Sequence, residues 1–108
     1  MENIDDTRVM DEQTLDQLQR AAFSYFVQTV NPVNGLVADT TRENCPCSIA
    51  VVGFALSVYP VAVERGWMTR ADAVERSLTA LRFFRDSDQS GSPDATGFKG
   101  FYYHFLSM

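Results

Sequence analysis

The stretch from Ile49 to Val63 constrains this chain more than any other, because it is apolar at every position except Gly53, Ser57 and Pro60. Ser48 stands where an N-cap is favoured and Gly66 follows the last apolar position, so the pattern predicts a helix over about 48–65. Its β-branched content makes a strand the rival reading, but the length and the end signals favour a helix. A helix that is apolar nearly all round must be covered on several sides. Gly53, Ala55 and Ser57 would let neighbours approach closely, and Pro60 predicts a kink. The stretch is shorter than the roughly 20 residues that span a bilayer, and it is interrupted, so no membrane crossing is expected.

Weaker patterns flank it. Leu15, Leu18, Ala22, Phe26 and Val30 recur at helical spacing and predict a helix over about 11–30, ended by Asn31-Pro32. Asn34-Gly35 reads as a turn within a long, largely polar connection over 31–46. Thr69, followed three residues later by Asp72, resembles a capping box and opens a third helix over about 69–86, with Val74, Ser77, Leu78, Leu81 and Phe84 as its inward face. The short link Gly66-Trp67-Met68 implies an antiparallel helical hairpin with Trp67 as a structural plug. Beyond it a polar run, 86–97, leads to an aromatic tail (Phe98, Phe101, Tyr102, Tyr103, Phe105) suited to a loop or short hairpin. The fold class is therefore all-α, with residues 1–10 an acidic disordered start and 11–108 one domain.

This arrangement has a functional consequence. In an up-down-up layout both long connections, 31–47 and 86–108, gather on one rim, and binding groups concentrate on long loops held by a rigid scaffold. Asp39, Arg42 and Glu43 lie in the first of these loops and could contact sugar hydroxyls or serve as acid and base; a solvated turn with a surface ion pair fits the same spacing. His104, the single histidine, sits among aromatics that could stack on sugar rings or simply pack.

Charge and cysteine content exclude other classes. The formal net charge is -5, and Glu2, Asp5, Asp6, Asp11, Glu12 and Asp16 crowd the first residues against Arg8 alone. Without a cluster of Lys and Arg there is no footprint for nucleic acid or an anionic membrane. A disulfide between Cys45 and Cys47 would close a strained ring, so reduced thiols are expected, and C-x-C alone lacks the paired spacing of a zinc site. The run 86–97 imitates a calcium loop, with Asp86, Asp88, Ser90, Gly91 and Asp94 at fitting positions. Gly97 stands where the bidentate Glu belongs, however, and a solvated loop is the better reading. No metal and no cofactor are expected. The start lacks the basic and apolar regions of a secretory signal, which predicts a cytoplasmic chain, or a periplasmic one if it belongs to an exported enzyme.

Five segments stand in a familiar order: Phe23–Phe26, Asn31–Asp39, Ser48–Phe54, Val63–Trp67 and Gly97–Leu106. Together they resemble the N-terminal portion of the bacterial glucoamylase-like family of glycoside hydrolases, which includes endo-β-1,2-glucanases and is related to a domain of cyclic β-1,2-glucan synthases. The resemblance implies the start of an (α/α)6 barrel, with the apolar helix inside and its neighbours outside. It also implies that Asp39, Arg42, Tyr102 and His104 lie near a sugar cleft. In that family the chain continues beyond the equivalent of Leu106-Ser107-Met108, and the acids proposed for catalysis lie in the continuation. The expectation is a partial glycoside hydrolase, inactive alone, with an oligosaccharide or β-glucan as ligand. Self-association or a partner chain would cover Ile49–Val63. The alternatives are a subunit completed by a second chain or by oligomerisation, and a small helical interaction protein without sugar chemistry.

Overall fold

The computed structural model describes residues 11–108; the acidic start, residues 1–10, lies outside the described residues. Three helices carry the chain: α1 (Glu12–Thr29), α2 (Ile49–Glu64) and α3 (Arg70–Arg85). Between and after them run four two-residue strands, β1 (Cys47–Ser48), β2 (Gly97–Phe98), β3 (Phe101–Tyr102) and β4 (Phe105–Leu106). The molecule is thus mostly helical rather than wholly so. β1 pairs antiparallel with β4, and β2 with β3 as the short hairpin that the aromatic tail suggested.

The helix ends follow from local chemistry. At α1 the Thr14 N–H donates to Asp11 Oδ1 (2.7 Å), which satisfies one orphan amide and holds the Asp11 carboxyl below its usual range. Thr69 Oγ1 does the same for α3 by accepting from the Asp72 N–H (3.1 Å). Asp72 does not complete a capping box; it turns forward to Arg76 Nε (3.0 Å) along the helix surface. Gly66, at φ +75°, ends α2, with the Gly66 and Trp67 amides donating back to Val63 and Ala62. α2 runs unbroken through Pro60.

α2 buries Val52, Ala55, Tyr59 and Ala62, one face at helical spacing. Its opposite side, with Gly53, Phe54, Ser57 and Val61, is exposed, and Phe54 keeps 63% of its surface open. α1 runs antiparallel to α2: Asp16 near its start reaches Arg65 (3.4 Å), and Phe23 packs on Trp67 with ring centroids 5.6 Å apart. Trp67 thus plugs the short turn. The buried residue of α1 is Phe23, supported by partly buried Tyr25, Phe26 and Val30, whereas Leu15, Leu18 and Ala22 of the expected face lie open.

α3 departs further from expectation. It packs chiefly on α2, its buried residues are Ala73 and Ala80, and Val74, Leu78 and Leu81 are exposed. The helix carries two stripes at helical spacing, and the bulkier one draws the eye. The alanine stripe allows the closer approach, so it takes the interior.

The connection over 31–46 is equally tied in. Leu36 and Val37 are completely buried in the core, so this segment is no polar loop. Asn31 and Gly35 close a turn: the Gly35 amide donates to the Asn31 carbonyl (2.8 Å) and the Asn31 amide to the Leu36 carbonyl (2.7 Å). Gly35 holds φ +78°, and a Cβ there would lie 2.6 Å from the Ala80 backbone nitrogen. Turn and helix touch because neither residue carries bulk.

Two glycine variants separate conformation from packing. Left-handed alanine costs about 1–2 kcal/mol, and Gly66→Ala, with open space around its Cβ, should lose only that. Gly35→Ala adds overpacking of about 1–3 kcal/mol. Urea midpoints should therefore fall further for Gly35→Ala; equal losses would mean that the turn does not press on Ala80.

Candidate functional site

The end of α1, the start of α2 and the end of α3 meet at one edge. There Val30 bridges Val37, Ala38 bridges Cys47, and Cys47 pairs with Leu106. The Tyr25 hydroxyl donates to the Ala38 carbonyl and the Asp39 amide to the Pro46 carbonyl (2.9 Å), which locks the first loop onto β1. On the other side of β1 the Ile49 amide donates to the His104 carbonyl (2.9 Å). The two long connections are therefore joined through the strand that leads into α2.

Of the four residues singled out from the sequence, two flank this seam, on opposite edges of β1. Asp39 follows the segment bridged to one edge of β1, and His104 precedes the strand paired with the other. Both are exposed. Arg42 lies further out, in a loop folded on a thiol. The Thr40 amide and hydroxyl both donate to Cys45 Sγ (3.2 and 3.3 Å), the Arg42 amide donates to Thr40 Oγ1 (3.1 Å), and Asn44 takes φ +59°. Among the described residues neither Asp39 nor Arg42 enters an ion pair. Tyr102 sits apart on β3. Its hydroxyl donates to the Phe84 carbonyl at the end of α3 (3.2 Å) and its ring packs on Phe84 at 4.9 Å, so its polar end is committed to tethering the hairpin.

Two neighbours of His104 carry roles other than those the sequence suggested, Ser48 as an N-cap and Phe105 as part of the aromatic tail. Ser48 holds the N-cap position of α2 without capping it; its buried hydroxyl meets His104 Nε2 at 3.1 Å instead. Ser at a helix start reads as a cap, and a partner 56 residues away leaves no local signal. Phe105, half exposed, lies against the imidazole with centroids 4.4 Å apart. A concavity of about 270 Å³ lies elsewhere, between the 31–35 turn and the Asp72, Glu75 and Arg76 side of α3.

The calcium-like run is committed to itself. Asp86 accepts from Arg85 Nε (2.8 Å), Asp88 Oδ1 accepts from the Ser90 amide (2.8 Å), and the Thr96 and Gly97 amides fold back on the Asp88 carbonyl. No cluster of three or more His, Cys, Asp or Glu suited to a metal exists among the described residues. Gly97 is fixed sterically, since a Cβ there would run into the Phe101 carbonyl oxygen. No described helix is long and apolar enough to cross a membrane.

Among curated proteins, an exo β-1,2-glucooligosaccharide sophorohydrolase (non-reducing end) of Parabacteroides distasonis is 32% identical over 101 residues. The chain is related to a glycoside hydrolase. The match takes in 89% of this chain and only 12% of the length of that relative. No protein-family profile matches the chain, and no solved structure matches it.

The thiols of the seam generate a test. Both cysteines are free and buried. Burial pushes the Cys47 thiol above its ordinary pKa, against a hydrogen bond from the Val37 amide that favours the thiolate. The folded state therefore holds this proton more tightly than the unfolded chain. That contribution is complete below the unfolded thiol's pKa, about 8.5, and is lost as pH rises through the folded value. Tyr59, raised by burial despite nearby Arg76, acts in the same direction at higher pH. Urea stability should decline above about pH 8.5, with a shallower decline in Cys47→Ala. An unchanged alkaline slope in that variant would remove Cys47 from the balance.

Proposed function

We propose that this chain is part of a glycoside hydrolase domain of the glucoamylase-like kind, corresponding to the start of an (α/α)6 barrel. It would contribute one side of a β-glucan cleft through Asp39, Arg42, Tyr102 and His104. The observation that carries this reading is the similarity to the sophorohydrolase, a protein named for acting on β-1,2-glucooligosaccharides, over 101 residues and 89% of this chain. β-1,2-linked glucan is accordingly the ligand of first choice.

The same reading makes the chain inactive alone. Hydrolysis of a glycosidic bond needs two carboxyl groups flanking it, about 5–10 Å apart. Asp39 and Glu43, the acids of the first rim loop, come from one short segment and lie on one side of any sugar. Exposed Phe54 and Val61 of α2 and Val74, Leu78 and Leu81 of α3 favour a second element of the proposal. Further polypeptide, from the same chain, a partner or a second copy, covers these faces and supplies the opposite wall.

Amide NMR spectra of the chain with and without linear β-1,2-gluco-oligosaccharide test the proposal. Shifts concentrated at Asp39, Arg42 and His104 are expected, with Tyr102 moving less because its hydroxyl is already engaged. No release of reducing sugar should accompany them. A well-dispersed spectrum indifferent to the sugar would sink the reading, and turnover by the isolated chain would refute its inactivity.

A further inference from the structure

His104 is held at two points and free at a third. Its carbonyl accepts from the Ile49 amide and its Nε2 meets Ser48 Oγ at 3.1 Å, while Nδ1 has no partner among the described residues. Ser48 is buried, is paired opposite Phe105 in the β1–β4 ladder, and spends its hydroxyl on no cap. A serine at that point of a helix ordinarily satisfies an amide of the first turn, worth about 1 kcal/mol. Here that bond is forgone and the hydroxyl is given to an imidazole on the surface.

From this arrangement we infer that Ser48 is a positioning residue, which fixes the His104 ring so that Nδ1 and the adjoining face of Phe105 together receive one pyranose unit. The inference rests on the rim being a sugar-contacting surface. The chemistry suits a carbohydrate. A pyranose presents hydroxyls around its edge and C–H groups on its faces, so it is recognised by one oriented polar atom beside an aromatic plane. Phe105 is 55% exposed and lies 4.4 Å from the imidazole centroid, which provides that plane. A freely rotating imidazole would offer either nitrogen in changing directions. A ring pinned through Nε2 offers Nδ1 in one direction, because the hydrogen bond of one nitrogen sets the state of the other. Ordering in advance reduces what binding must spend on it.

Because the chain has one histidine, the test is unambiguous. Imidazole ¹⁵N shifts are recorded for the wild type, Ser48→Ala, Ser48→Thr and Phe105→Leu, and each is titrated with linear β-1,2-gluco-oligosaccharide. Without sugar, Ser48→Ala should move the Nε2 resonance and Ser48→Thr should return it towards the wild-type position. With sugar, Ser48→Ala should weaken binding roughly three- to tenfold, the size of one neutral hydrogen bond, and Ser48→Thr should restore it. Phe105 is exposed, so Phe105→Leu should keep the fold and still weaken binding, which preserves the test if Ser48→Ala unfolds. Wild-type affinity in both Ser48→Ala and Phe105→Leu would overturn this inference and leave the rim reading standing. A wild type whose amides and His104 ring both ignore the sugar would overturn the rim reading, and this inference with it.

Discussion

The pairing of Cys47 on both edges is the constraint on which the rest of the molecule depends. One edge of this completely buried residue meets Ala38 and the other meets Leu106, so a strand of two residues joins three distant parts of the chain. Its backbone groups could not be left unpaired in the interior, where an unsatisfied amide or carbonyl costs about 1–3 kcal/mol. Satisfying them draws the first connection and the C-terminal tail to the start of α2, and with them Asp39 and His104. The rim exists because of a backbone requirement in the core.

The interior around this seam is built from residues that differ in bulk. Tyr59, Leu36 and Val37 fill volume, whereas Gly35, Ala55, Ala62, Ala73 and Ala80 allow backbones to approach. This division explains why the large apolar residues of α3 stay open: a helix seated on its alanines leaves Val74, Leu78 and Leu81 outside the buried core. The open face of α2, with Phe54 and Val61, belongs to the same pattern. Apolar surface of this kind is lost from water only against another body, and this agrees with a chain that matches 12% of the length of its glycoside hydrolase relative.

The rim itself divides into committed and uncommitted groups. The Tyr102 hydroxyl, Asp86, Asp88 and the Cys45 thiol are engaged in holding loops, and their chemistry is structural. Asp39, Arg42, Phe105 and the Nδ1 side of His104 are exposed and without side-chain ion pairs or hydrogen bonds among the described residues.

Much of the frame was legible in residue order alone. Asp11, Thr69 and Gly66 mark helix ends through hydrogen bonds that span three to five residues, and such short-range chemistry is written locally. The apolar run of α2, the turn at Asn34-Gly35 and the aromatic hairpin belong to the same class. Tertiary structure alone decided which stripe of α3 faces inward, that Leu36 and Val37 leave their turn for the core, and that Ser48 serves His104 rather than its own helix. Periodicity measures the spacing of apolar residues along one element. It carries no information about the bulk a neighbour can accept or about a partner more than fifty residues away.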